Sequence, residues 1–130
     1  MIVVDTTVWA DWFNGTDSPE VDHLSRALDH QDAGLAPVIL TEVLQGFRAD
    51  RDFERARVLL SQLPVLALDI DGHAAAARLF RRLRNKGITV RGTIDCIIAQ
   101  TCIAAGAELL STDQDFTAIA RHTPLRLCAV

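Results

Sequence analysis

The chain begins with the stretch Met1-Ile2-Val3-Val4-Asp5-Thr6-Thr7-Val8-Trp9, in which an apolar run is followed at once by an acidic residue. The apolar run is typical of a short buried strand, and either threonine after it can cap a helix that continues to Phe13. Similar apolar segments alternate with helical patterns along the rest of the chain. This alternation predicts an α/β fold, with a parallel sheet covered by helices on both faces.

The strand and helix patterns extend over the whole chain, and no repeat or linker interrupts them. We therefore expect a single domain spanning residues 1–130. The expected strands are Ile2–Val4, Gly34–Ala36, Val65–Leu68, Glu108–Ser111 and Leu125–Cys128. After the first helix, the expected helices are Pro19 to about Gln31 with Ser18 as N-cap, Pro37 to near Gly46, about Asp52–Gln62, a helix capped by Asp71 that runs to Asn85, one capped by Thr93 that ends at Gly106, and about Phe116–Arg121.

The bulk composition is that of a compact protein with a real core, since 49% of the 130 residues are hydrophobic. No stretch approaches the roughly 20 apolar residues that a membrane span requires. The polar residue at position 5 argues against a signal peptide. The three cysteines are an odd number without metal-ligand spacing. These features predict a cytoplasmic protein with no membrane partner.

Four acidic residues stand in segments that are otherwise apolar: Asp5, Glu42, Asp95 and Asp113. A charge among Val, Ile and Leu must be paired, coordinated or neutralised, because burying it alone costs too much free energy. None of the four segments contains a basic residue. We expect the four carboxylates to converge and to share a divalent cation.

The expected topology brings these acids to one edge of the sheet. Asp5 and Asp113 directly follow strands, and ligands of open parallel sheets bind beyond the carboxyl ends of the strands. Glu42 follows the second strand by about one and a half helical turns. Asp95 lies in the first turn of a helix that begins at the same edge and leads into the fourth strand.

The chemistry of such a cluster is that of a hard metal ion. Oxygen ligands select Mg²⁺ or Mn²⁺, and zinc is not expected. One or two such ions activate a water and stabilise charge on a phosphodiester. The protein then needs no nucleophile of its own, and the sequence contains no convincing Ser-His-Asp or Cys-His arrangement.

The charge balance leaves a nucleic-acid partner open. A net charge of −4 argues against one, yet two bound divalent cations would bring the formal charge from −4 to 0. The basic residues also cluster, at positions 48–57 and 78–91. These clusters are either ordinary solvated helix faces or phosphate contacts.

The segment Val3-Val4-Asp5-Thr6-Thr7-Val8-Trp9 resembles the opening motif of the PIN-domain ribonucleases, specifically the VapC toxins of bacterial toxin–antitoxin pairs. Three further motifs agree in order and spacing: Glu42 after a Pro-opened segment, Thr93-Ile94-Asp95-Cys96-Ile97-Ile98-Ala99, and Ser111-Thr112-Asp113-Gln114-Asp115-Phe116. One minor departure is Ser111, where the family often has Thr.

The resemblance implies a PIN-like α/β/α sandwich with a five-stranded parallel sheet in the order 3-2-1-4-5. It also implies a Mg²⁺-dependent endoribonuclease toxin, with Mn²⁺ as a possible alternative ion, inhibited by a cognate antitoxin. The catalytic and metal-binding residues would be Asp5, Glu42, Asp95 and Asp113. A homodimer that joins antitoxins in a hetero-oligomer is the expected assembly.

Several site residues have structural interpretations that remain open. Asp5 and Asp113 can each cap a helix, and Asp115 is the better cap for the helix near Phe116. Asp115 is equally a candidate for the outer shell of the metal. Thr7 positions a metal-bound water or only caps a helix. Ser111 is a candidate supporting residue beside the acids.

Two kinds of partner contact are predicted. Arg91, just before the Asp95 helix, is the first candidate for RNA phosphate, and Arg48 and Arg51 are the next. An antitoxin segment is expected in a groove between the helices 7–13, 37–47 and 52–62. The residues expected to line it are Trp9, Trp12, Phe13, Val43, Phe47, Phe53 and Leu60, and a basic antitoxin side chain would reach Asp5 and Asp113.

Two rival functions come from other classes of protein. Val65-Leu66-Ala67-Leu68-Asp69-Ile70-Asp71-Gly72 resembles the strand and Asp-x-Asp-Gly motif of dehalogenase-type phosphatases, and Asp69 also resembles a receiver phosphorylation site. This phosphoryl-transfer interpretation leaves Glu42 and Asp95 unexplained. The other rival is a catalytically silent module that keeps the fold and binds RNA or protein.

Overall fold

The computed structural model describes residues 1–130. Its strands are β1 (Ile2–Val4), β2 (Ala33–Gly34), β3 (Glu108–Leu110) and β4 (Arg126–Leu127). Its helices are α1 (Thr6–Phe13), α2 (Pro19–Asp29), α3 (Pro37–Gln45), α4 (Asp50–Ser61), α5 (Ile70–Asn85), α6 (Thr93–Ala105) and α7 (Gln114–Arg121).

The strands form one parallel sheet in the order β2-β1-β3-β4. The prediction of a parallel α/β fold is confirmed, but the third expected strand, Val65–Leu68, is only an isolated parallel bridge between Leu35 and Val65. The bridge lies on the outer side of β2, so the order of the strands across the sheet is the expected one. The expected count of five strands is wrong, because the sheet has four. The pairing is short because only Ala36 remains extended between Leu35 and the start of α3 at Pro37.

The core lies on both faces of this sheet. Every residue of β1 is buried, and the side chains of Val3 and Val4 are fully so. Residues on adjacent positions of a strand point to opposite faces, so both faces are covered. Trp9 from α1 and Phe116 from α7 are the largest side chains that are fully enclosed.

Four helix caps differ from the expected ones. Asp5, rather than a threonine, caps α1, and Gly92 precedes α6 without a side-chain cap. Asp69, rather than Asp71, caps α5, because it is the last extended residue before the helix. Asp113, rather than Asp115, caps α7 by accepting a hydrogen bond from the backbone N–H of Asp115 at 2.9 Å. The capping position must be extended, so a residue already inside the first turn cannot fill it.

Two other boundaries follow from local chemistry. Ser18 caps α2 with Pro19 at its first position, as predicted, through a 3.1 Å hydrogen bond from the N–H of Val21. Gly106 ends α6 in the left-handed conformation with φ of 65°, which a residue without a Cβ adopts at low cost. The chain then turns directly into β3. None of the helices combines the length and the apolarity needed to cross a bilayer.

Candidate metal centre

The acidic site is built where two adjacent strands end. Val4 pairs with Leu110 in the sheet, and the N–H of Asp5 donates to the carbonyl of Leu110 at 2.9 Å. Asp5 and the segment 111–113 therefore leave the sheet side by side at its carboxyl edge. This is the edge at which the sequence places the site.

The carboxylate of Asp5 is fixed by two hydrogen bonds. Its Oδ1 accepts from the backbone N–H of Thr6 at 2.8 Å, and its Oδ2 accepts from the hydroxyl of Ser111 at 2.9 Å. The same Ser111 hydroxyl accepts from the N–H of Asp113 at 3.0 Å. Asp5 is only 6% exposed, so these bonds set the orientation of a buried carboxylate. Each carboxylate oxygen has a second lone pair that remains free for another ligand.

Three further carboxylates meet beside it. Oxygen atoms of Asp95, Asp113 and Asp115 all lie within 4.8 Å of one another. Asp95 comes from the first turn of α6, whereas Asp113 and Asp115 come from the start of α7. The sequence predicted the convergence of Asp95 and Asp113 and left open whether Asp115 caps a helix or joins the acids. In the structure Asp115 joins the acids, and Asp113 takes the cap.

Glu42 reaches the site from α3. Its Oε1 accepts a hydrogen bond from the hydroxyl of Thr6 at 2.8 Å, which ties α3 to the start of α1. Thr6 therefore contacts the acidic site twice, through its N–H on Asp5 and its hydroxyl on Glu42. The sequence indicated Thr6 only as a possible helix cap. No local pattern could reveal this bond, because 36 residues separate its partners.

Burial and the other acids of the cluster raise the pKa of Asp95. Partial burial raises its pKa to about 6, and the negative charges of the other acids act in the same direction. In order of effect, these are Asp113, Asp5, Asp115 and Glu42. The other four acids are therefore close enough to Asp95 to disfavour its ionisation, and a bound cation would oppose that effect.

Burial also raises the pKa of Asp5, although its hydrogen bonds from Ser111 and Thr6 act in the opposite direction. The charges of Glu42 and Asp113 add smaller increases. A carboxyl that is desolvated and surrounded by other carboxyls gains more from a nearby cation than an exposed one does.

One buried oxygen of the cluster has no hydrogen bond. The Oδ2 atom of Asp115 is buried and unpartnered, with the Nε of Arg91 at 3.4 Å as its only nearby positive charge. Arg91 is itself 83% exposed, so this ion pair is weak. A buried, unpartnered carboxylate oxygen on a residue that lies beside two other carboxylates fits a hard divalent cation.

One threonine and three arginines are the other residues that the sequence predicted for the site. The hydroxyl of Thr7 lies 3.4 Å from that of Thr112 at the exposed rim of the site and contacts none of the five acids by hydrogen bond. Arg91 lies at the site through its pair with Asp115. Arg48 and Arg51 are exposed, at the end of the α3–α4 connection and the start of α4, and make no ion pair or hydrogen bond.

The motif that suggested a phosphoryl-transfer function has a structural explanation. Asp69 is exposed and accepts the N–H of Gly72 at 2.7 Å as the cap of α5. A Cβ at position 72 would lie 2.8 Å from the side chain of Leu68, so the glycine permits close packing under the first turn. The Asp-x-Asp-Gly pattern is thus explained by helix capping and packing, and both of its carboxylates lie outside the acidic cluster.

A parallel α/β fold with acids gathered at the carboxyl edge of the sheet is defined by this geometry, and the PIN domain family model matches residues 2–122. A VapC ribonuclease of Mycobacterium bovis is 37% identical over 130 residues, covering 97% of this chain and 96% of that protein. Ribonuclease VapC11 of Mycobacterium tuberculosis matches with the same identity and coverage. The chain therefore belongs to the PIN domain family, within the group of the VapC ribonucleases.

Solved structures show the same fold at lower identity. VapBC2 from Rickettsia felis, bound to a DNA fragment from its promoter, superposes with a TM-score of 0.78 at 19% identity, covering 98% of both chains. DNA-bound VapBC from Salmonella typhimurium gives a TM-score of 0.77 at 19% identity, covering 98% of this chain and 96% of that one.

Proposed function

We propose that the protein is a Mg²⁺-dependent endoribonuclease toxin that a cognate antitoxin inhibits. The observation that carries the proposal is the group of five acids around Asp95 at the carboxyl edge of the sheet. The names of the VapC ribonucleases that it resembles support RNA as the substrate. The hard oxygen ligands favour Mg²⁺, with Mn²⁺ as the alternative ion.

The residues that would hold the ion are Asp95, Asp113 and Asp115, with Asp5 and Glu42 beside them. A divalent cation bound there supplies an activated water and stabilises negative charge on the scissile phosphate. Ser111 and Thr6 hold Asp5 and Glu42 in place, so their role is positioning. Arg91, at the rim of the site, is placed to contact a phosphate next to the scissile bond.

Cleavage of bare RNA by the purified chain tests this proposal. We expect cleavage of single-stranded RNA in Mg²⁺, its loss in EDTA and its return when Mg²⁺ is added in excess. Asp95→Asn should abolish cleavage, whereas Asp29→Asn, an exposed acid on α2, should cleave as the wild type does. Metal-independent cleavage, or full activity of Asp95→Asn, would rule out the mechanism. A wild type that binds RNA without cutting it would support the silent module instead.

The antitoxin would bind an apolar groove between α1, α2 and α4. Two adjoining cavities of about 550 and 380 Å³ share Trp12 and Leu59 in their walls. The second cavity also contains Phe13 and Phe47, whose rings pack edge to face with centroids 5.5 Å apart. VapBC complexes of toxin and antitoxin are among the structures with this fold, which supports a partner of this kind.

The groove differs in part from the predicted one. Trp9 and Leu60 are fully buried and Val43 is 5% exposed, so these side chains belong to the core. Trp12, Phe13 and Phe47 do line the groove, whereas Phe53 is partly exposed on α4 outside the two cavities. The helical spacing of the apolar residues in α4 predicts an apolar face, but it does not show which of these residues point into the core.

A homodimer is the second part of the assembly that we propose. Ile70 is 85% exposed and nearby Val65 is 59% exposed, which leaves apolar surface at the start of α5 for a second copy to cover. Light scattering of the purified chain should give the mass of two copies, and Ile70→Asp should shift it to one.

The three unpaired cysteines fit the reducing cytoplasm in which this proposal places the protein.

A further inference from the structure

We propose that a basic pocket between α5 and α6 is a second RNA-binding site, which holds backbone phosphates of the substrate outside the acidic cluster. The inference rests on the proposed ribonuclease activity for the identity of its ligand. It concerns a separate surface, and the arginines that form it are not the three that the sequence nominated for RNA.

The pocket is an open depression, and five of its six lining residues are polar. Its volume is about 420 Å³, and its walls are Ala75, Arg78, Arg81, Arg82, Asn85 and Gln100. Five of these residues come from α5, and Gln100 comes from α6 across the groove. Three arginines and two amide residues thus line one depression, and no acidic residue is among them.

The charge of this pocket is not compensated by neighbours. The ion pairs of the protein are Met1–Asp32, Arg57–Glu54 and Arg91–Asp115, so none involves a pocket arginine. The only acidic residue within α5 is Asp71, in its first turn and away from the arginines. An ordinary solvated helix face usually interleaves acids and bases at spacings of three or four residues. Arg57 and Glu54 on α4 show that usual pattern.

The position of the pocket suits a substrate that must also reach the acids. The segment 86–92 joins α5 to α6, and the two helices pack closely along their length. The end of α5 at Asn85 therefore lies beside the start of α6, where Asp95 is found. Gln100 is five residues after Asp95 (100 − 95), which is a rise of about 7.5 Å along the helix axis and a rotation of about 140° around it. The pocket therefore lies on a different side of α6 from Asp95, and an RNA strand that reaches both would pass around the start of this helix.

Physical chemistry favours the phosphate backbone of RNA as the ligand. A polyanion approaching a cluster of carboxylates is repelled, so its binding requires positive charge nearby. Guanidinium groups bind phosphate oxygens in a bidentate way, and amides such as Asn85 and Gln100 can add hydrogen bonds to phosphate or sugar. An acidic protein segment is the competing occupant, and the experiment below separates the two.

The test measures RNA binding apart from cleavage. In the Asp95→Asn background, binding of a fluorescein-labelled single-stranded oligoribonucleotide is followed by anisotropy over a range of salt concentrations. The triple variant Arg78→Gln, Arg81→Gln and Arg82→Gln should bind about tenfold to a hundredfold more weakly at moderate salt. The slope of log K against log salt should become shallower by roughly 2, since each phosphate contact to a single strand contributes about 0.7.

A matched control carries Arg26→Gln, Arg57→Gln and Arg121→Gln, which are exposed arginines on α2, α4 and α7. Both triple variants lose three positive charges from the Asp95→Asn background, whose net charge is −3 (−4 + 1), so each has a net charge of −6 (−3 − 3). The control should keep most of the affinity and salt slope. Equal losses in both variants, or unchanged binding in the pocket variant, would overturn the inference.

Two further readouts keep this result separate from the proposed function. Restored to Asp95, the pocket variant should cleave RNA with a raised KM and a nearly unchanged kcat, because its acidic cluster is intact. If the wild type cleaves and the pocket variant cleaves with the same KM, only the second site is wrong. If the wild type does not cleave at all, the proposed function fails first. A pocket variant that loses only its binding to a protein partner would also overturn the inference.

Discussion

At the scale of the residue, Asp95 is the point on which the site depends. It comes from a different element than Asp5 or Asp113, yet the charges of all four other acids raise its pKa. Its position at the first turn of α6 also places it near the positive end of the helix dipole, which favours the ionised form. The burial and the neighbouring charges outweigh that effect. The fold therefore keeps these carboxylates close together despite their repulsion, and a bound cation would reduce that repulsion.

The raised pKa of Asp95 predicts a pH-dependent cost in the metal-free protein. The folded state has a pKa of about 6 for this group, above its ordinary value of 3.8. Below the lower value both states are protonated and nothing is lost. Between the two values the folded protein keeps a proton that the unfolded chain has released, so stability falls as the pH rises. Above about 6 the loss is complete.

Asp95→Asn should therefore stabilise the metal-free protein at pH 7 while abolishing cleavage. Urea denaturation in EDTA measures the effect: the gain of the variant over the wild type should be larger at pH 7 than at pH 4. Asp29→Asn, which lies outside the cluster, should show the same small difference at both pH values. A gain that is equal at the two pH values would mean that Asp95 is not repelled by its neighbours.

At the scale of the element, α5 shows how one motif can serve the fold alone. Asp69 caps the helix, and Gly72 leaves space for Leu68 beneath the first turn. Neither residue contacts the acidic cluster. A sequence motif that resembles a catalytic one is here explained by the start of a helix.

Asp69→Ala should lower the free energy of unfolding by about 1 kcal/mol through loss of the cap, and Asp69→Asn should lower it by less, because Asn also caps well. Both variants should cleave RNA at the wild-type rate under conditions where they are folded. Thermal denaturation and a cleavage assay on the same preparations check the two parts. A loss of activity in the folded Asp69→Asn variant would return the phosphoryl-transfer interpretation to consideration.

The sequence predicted which segments form helices and strands better than it predicted which segments pair with one another. The alternation of apolar strands and amphipathic helices indicated the parallel sheet, and Ser18 with Pro19 marked the start of α2 correctly. The third strand was overestimated, because Val65–Leu68 has the composition of a strand but lacks a partner beyond Leu35. Strand pairing depends on what lies alongside, and composition does not contain that information.

The site was predictable to the extent that its chemistry is local. Acids among apolar residues had to converge, and Asp5, Asp95 and Asp113 could be recognised for that reason. The bond between Thr6 and Glu42 joins distant segments, and the pocket of Arg78, Arg81 and Arg82 depends on how α5 faces Gln100. Such features require the tertiary packing of two elements and cannot be inferred from either one.

At the scale of the whole molecule, α1 connects the acidic site to the apolar groove. The helix is capped by Asp5, beside the acidic cluster, and ends with Trp12 and Phe13 in the groove walls. Eight residues of helix span about 12 Å. A bound antitoxin segment that lies along the groove can therefore extend to the acids, where a basic side chain would compete with the cation.

This arrangement predicts that antitoxin binding and cleavage can be separated by mutation. Val58 lines a shallow depression on α4 that adjoins the groove through Leu59 and Gln62, and it is 47% exposed, so Val58→Glu should place a charge at the edge of the groove without disturbing the core. We expect the variant to bind the cognate antitoxin at least tenfold more weakly and to cleave RNA as the wild type does, since the acidic site is untouched. Val130→Glu is the matched control, because Val130 is 58% exposed and lies outside the groove. Antitoxin titrations monitored by calorimetry, with inhibition of cleavage as the second readout, measure both properties. Undiminished inhibition of Val58→Glu would place the antitoxin on another face of the molecule.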